Sequence, residues 1–147
     1  MSAETRRRAV QAARGEMPFD LLLTHTRIVD MATGEIRDAD VGIVGGLIAS
    51  VHPRGSRRDA RETHDLNNRY LSPGLMDTHV HLESSHLLPA RYAEIVLAQG
   101  TTAVFWDPHE LANVLGIAGV RFAIEASRNL PLQVMVAAPS SVPSTPG

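Results

Sequence analysis

"MDTHVHLESSH", Met76 to His86, holds three of the seven histidines of a 147-residue chain, two of them one residue apart. If the stretch is a strand, side chains alternate between its faces, so His79 and His81 project together. Asp77 and Glu83 fall on the same side. Paired imidazoles flanked by carboxylates suit a divalent metal ion. The neighbouring segments decide whether that pairing sits in a fold able to use it.

Downstream, strand and helix patterns alternate. "YLSPGLMDTHVHLE" reads as a strand, and "PARYAEIVLAQG" as a helix opened by Pro89 and closed by Gly100. "TTAVFWD" is rich in strand formers. "PHELANVLGIAGVRFAIEASRN" is predicted as one helix with Leu111, Val114, Leu115, Ala118 and Phe122 on one face. "LPLQVMVAAP" reads as a third strand, apolar enough to be buried on both sides. Strands joined by helices imply right-handed parallel crossovers. A closed (β/α)8 barrel needs at least about 200 residues. The expected class is therefore α/β: an incomplete barrel of this kind, its first strands and helices only. A small open sheet is the rival, but it would leave both edges unpaired, and unpaired edges favour association into a homo-oligomer.

Upstream, residues 1–16 are rich in helix formers and run to Gly15. Residues 17–69 form a small β unit with predicted strands at Leu21–Val29, Asp40–Val44 and Leu47–Val51. Turns at Thr33-Gly34 and Gly45-Gly46 separate them, and an antiparallel arrangement is expected. Arg54 to Asn68 reads as a polar connection. Residues 70–147 then carry the β/α units, truncated relative to a full barrel.

Composition narrows the functions. The net charge is −2 and 44% of residues are hydrophobic, which suits a soluble globular protein and points away from nucleic acid and anionic membranes. No apolar run approaches the roughly 20 residues that span a bilayer, no signal peptide is recognised, and a cytoplasmic location is expected. Cysteine is absent and all 14 basic residues are arginine. Metal ligands must then be nitrogen and oxygen, and Schiff-base chemistry and a carboxylated lysine are excluded from this stretch.

The His-x-His pair lies toward the C-terminal end of its strand, where α/β folds gather ligands and catalytic groups. "DPHE", Asp107 to Glu110, occupies the corresponding place on the next strand. A helix cap explains part of it: Asp107 as N-cap, Pro108 at the first position and Glu110 completing a capping box. That leaves His109 without a role. His25, His52 and His64 are expected at surface or turn positions, His86 in a loop, and Trp106 packed in the wall. "GIVGGLIAS" matches no phosphate-loop spacing and reads as a hairpin turn.

"SPGLMDTHVHLESS" resembles the first barrel strand of the amidohydrolase superfamily, with Pro-Gly followed by Asp-x-His-x-His. "HVHLESSHLLPARYAEIVLAQGTTAVFWDPHELANVLG" closely resembles the bacterial adenine deaminases within it, as does "SSVPSTPG" near the end. The upstream segment is similar to the family's β-sandwich entry, so a small β-sandwich-like unit is expected before the barrel. The resemblance implies hydrolysis of adenine to hypoxanthine and ammonia at a binuclear centre of manganese, iron or zinc. His79 and His81 would bind the first metal. Hydroxide generated there would attack C6 of the purine, and a carboxylate would move protons, with Glu83, Asp107 and Glu110 the candidates. The family takes further ligands from later strands, so this chain alone is expected not to turn adenine over. Two alternatives stand beside this reading. One is another amidohydrolase acting on a purine or cyclic amide; the other is a non-catalytic remnant serving as an oligomerisation module.

Overall fold

A computed structural model of the chain describes residues 1–139 and Val142, which fall into two units, Met1–Pro73 and Gly74–Gly147. "SSVPSTPG" lies outside the described residues apart from its valine.

The first unit opens with α1, Ala3–Ala13, whose N-terminus is capped by the Ser2 hydroxyl accepting from the Thr5 N–H. Ala9 and Ala12 pack against Phe19, Leu22 and Val44 of the sheet below. Strands β1 (Phe19–Asp30), β2 (Glu35–Val44) and β3 (Leu47–His52) form antiparallel hairpins, as the turn residues required. Gly45 and Gly46 both take positive φ, +55° and +81°, which a tight two-residue hairpin needs.

The expected polar connection is partly wrong. Within it, β4 (Ala60–Asp65) pairs parallel to β1, and β5 (Tyr70–Leu71) extends the same edge, so the sheet is mixed rather than antiparallel. "ARETHD" shows no apolar alternation because all but Ala60 are exposed. Backbone pairing with β1 makes it a strand, and side-chain pattern cannot reveal that.

His52 also departs from expectation. It is buried, stacks on Phe19 with centroids 5.7 Å apart, and binds Ser50 Oγ through Nδ1. Burial pushes its pKa below the ordinary 6.5, against the pull of Asp40. The unfolded chain therefore binds more protons than the folded one from about pH 6.5 down to that lowered value. Stability falls as pH drops through this window. We expect His52→Gln to flatten the dependence of melting temperature on pH below 6.5; identical slopes in parent and variant would refute it.

Among the described residues the second unit carries three parallel strands in sequential order, β6 (Leu75–Val80), β7 (Thr101–Trp106) and β8 (Gln133–Val136). α2, Pro89–Ala98, links the first two and places Ala93 beside Val104 and Leu132. The expected strand from Tyr70 is broken at Pro73-Gly74 into β5 and β6. A Cβ on Gly74 would meet Thr102 Oγ1 at 2.1 Å, so only glycine fits there. The expected single helix is also two, α3 (His109–Leu115) and α4 (Ile117–Ala126), divided at Gly116 with φ +59° and ψ −141°. The buried residues of this pair are Ala112, Gly119 and Ala123; of the expected apolar face Leu111 packs against the Leu82, Trp106 and Ala123 cluster, whereas Val114 and Leu115 face outward.

Candidate metal centre

Parallel pairing of β6 with β7 sets Val80 opposite Trp106, and the Asp107 N–H donates to the Val80 carbonyl at 3.0 Å. The residues leaving both strands are thereby brought together. His79 lies in β6, His81 one residue past its end, and Asp107 immediately after β7. The two rings stand 5.1 Å apart, tilted by 55°. His79 Nε2 lies 3.6 Å from Asp107 Oδ2. Donor atoms of His79, His81 and Asp107 all fall within 4.8 Å of one another, and those of His81, Glu83 and Glu110 do the same. Asp77 is in neither group; it accepts from the His79 N–H instead.

His81 Nδ1 lies 3.0 Å from the Asp107 carbonyl oxygen and 3.2 Å from Glu110 Oε2. A carbonyl only accepts, so Nδ1 carries the proton and Nε2 keeps the lone pair of the neutral ring. Metal-bound histidines are usually fixed in this manner, one nitrogen donating to a carbonyl or carboxylate. Asp107 Oδ1 is buried with no hydrogen-bond partner among the described residues. Buried polar atoms are nearly always satisfied, and a cation bound by this carboxylate would give it a partner. Two imidazoles and a carboxylate are also a donor set that catalytic metal sites use, with further positions left open. The residues fit a divalent ion.

The capping box is corrected. α3 begins at His109, its N-cap is Pro108, and no side chain of its own caps it. The Glu110 and Leu111 N–H groups instead donate to Glu83 Oε1, at 3.1 and 3.4 Å, and Trp106 Nε1–H donates to Glu83 Oε2. Glu110, freed from capping, accepts from Ser84 Oγ at 2.8 Å. Burial opposes its ionisation. The Ser84 bond, its own backbone N–H, Glu83 and the charge of His81 outweigh that, and its carboxyl sits below the ordinary glutamate value.

Sequence reasoning placed His79, His81, Glu83, Asp107 and Glu110 at one end of the sheet, and the structure gathers all five. It missed Ser84 and the polar role of Trp106, because both depend on contacts across more than twenty residues. His109, left without a role, has its ring 5.8 Å from that of His81 and Nε2 3.1 Å from Asn113 Nδ2.

Residues 70–146 match the model of the amidohydrolase family. The chain is 82% identical over 146 residues to an adenine deaminase of Klebsiella pneumoniae, covering 99% of this chain and 24% of that protein. It is 70% identical over 147 residues to an adenine deaminase of Serratia proteamaculans, covering 100% and 25%. It thus spans about a quarter of these curated relatives. Among solved structures it resembles the L-hydantoinase (dihydropyrimidinase) of Arthrobacter aurescens, with a TM-score of 0.63 at 20% identity over 80% of this chain and 27% of that one. At that identity the likeness speaks for the fold alone.

Proposed function

The chain belongs to the amidohydrolase family, and from that premise we propose that it supplies the first metal-binding strands of an adenine deaminase. The reaction is adenine plus water to hypoxanthine plus ammonia. One observation carries the reading: His79, His81 and Asp107 converge at the ends of β6 and β7, with Asp107 Oδ1 buried and unpartnered among the described residues. The 70–82% identity to proteins named adenine deaminase supports the substrate.

In this reading His79, His81 and Asp107 hold the first cation, which is manganese, iron or zinc. Such an ion lowers the pKa of water, making hydroxide available near neutral pH. His81 offers Nε2 because its Nδ1–H is engaged by the Asp107 carbonyl and Glu110. Glu110, held ionised, orients that ring. Glu83 has both oxygens occupied by Trp106 and the start of α3 and is poorly placed to carry a proton. Three open parallel strands do not close a barrel. In this reading the chain supplies a partial (β/α)8 barrel, which the β unit precedes, and the remaining ligands and a second cation would be held by further strands.

Ultraviolet absorbance of adenine tests this on two proteins: the 147-residue chain, and a protein continued to the length of the relatives. We expect the longer protein, loaded with metal, to deaminate adenine in preference to dihydroorotate and hydantoins, and the short chain to be silent. Preference for a cyclic amide would overturn the substrate. Steady turnover by the short chain would overturn its incompleteness.

A further inference from the structure

We propose that Glu83 is a positioning residue of the metal centre, acting through Trp106 and the start of α3 rather than on the cation or substrate. The inference rests on the reading that His79, His81 and Asp107 hold a cation.

Trp106 is 1% exposed, and a buried indole N–H needs an acceptor. Glu83 Oε2 is that acceptor. The other oxygen takes the first N–H groups of α3, at Glu110 and Leu111. A helix start left uncapped by its own residues is therefore fastened to the buried strand β7 by a carboxylate from the 3₁₀ turn Leu82–Ser85. Ser84, next in the chain, steers the same glutamate by donating to Glu110 Oε1. The consequence falls on His81, whose Nδ1 is 3.2 Å from Glu110 Oε2. Trp106, Glu83, the first turn of α3, Glu110 and His81 form one connected path. Releasing Glu83 at either end lets Glu110 drift and leaves the His81 ring less well held.

Trp106 is the single tryptophan, so its indole resonance reports this path without ambiguity. The experiment uses the 147-residue chain, Zn2+ as probe, and the variants Trp106→Phe and Glu83→Ala, each checked for folding by circular dichroism. Trp106→Phe removes only the far end of the path and alters no donor of the metal groups. We expect both variants to bind Zn2+ about tenfold or more weakly than the parent, the range for residues that orient metal ligands. In the parent, the indole N–H should stay protected from solvent exchange at saturating Zn2+. An unchanged affinity in Trp106→Phe would overturn the inference. So would an indole N–H that becomes labile as Zn2+ binds, since Glu83 would then be leaving Trp106 for the ion. Measured with no cation, the Glu110 and Leu111 amides should exchange faster in both variants than in the parent. Equal exchange sinks this inference whatever the metal does. A parent that binds no Zn2+ sinks the metal reading instead.

Discussion

His81→Ala is expected to lower the affinity of the chain for Zn2+ by more than about a hundredfold, a larger loss than removing an orienting neighbour would give. His81 is the residue that both donor groups share. Its deletion removes a nitrogen of the proposed ligand set and the contacts that hold the Asp107 carbonyl and Glu110 at 3.0 and 3.2 Å. The substitution should leave the core of the second unit intact, because Leu82 and Trp106 beside it pack on Ala123. Zinc titration with a competing chelator reads the loss, and circular dichroism shows the fold intact. An affinity within threefold of the parent, on the order of 0.6 kcal/mol, would place the ion elsewhere.

The second large effect lies in the first unit and concerns stability. Phe19→Ala is expected to cost about 3–5 kcal/mol, the usual range for deleting a buried ring. Phe19 is fully buried between α1 and the sheet. Its ring is stacked on His52 and covered by the Arg57 guanidinium, 4.2 Å from the centroid. The site was shaped for it: a Cβ on Gly42 would lie 2.4 Å from Phe19 Cε1. Domain stabilities run at about 5–15 kcal/mol, so the loss removes a large share of the total, and the urea midpoint of the first unit should fall far below the parent's. A midpoint close to the parent's would mean that the ring does not organise this core.

Much of this could be read from residue order, and the exceptions share a cause. The hairpins, α1, α2 and the three parallel strands follow from local signals: Ser2, Pro89, the glycine pairs and apolar runs. The convergence of His79, His81 and Asp107 follows from strand ends in a parallel sheet. What failed depended on partners distant in sequence. β4 is a strand because β1 offers it a ladder, though its own side chains are polar. Asp107 and Glu110 had the spacing of a capping box, yet Glu83 performs the capping from across the sheet, which frees both carboxylates for His79 and His81. Gly116 broke a helix whose hydrophobic spacing looked continuous, since positive φ outranks periodicity there. His52 had no pattern around it to mark it as buried.

The most direct test of the central claim is X-ray absorption on the chain loaded with one equivalent of Zn2+. The expected spectrum has a first shell of nitrogen and oxygen at about 2.0–2.2 Å, with outer scattering from two imidazoles that is halved in His79→Ala and in His81→Ala. A first shell without imidazole scattering, or one unaltered in both variants, would contradict the assignment of His79, His81 and Asp107 as the metal centre.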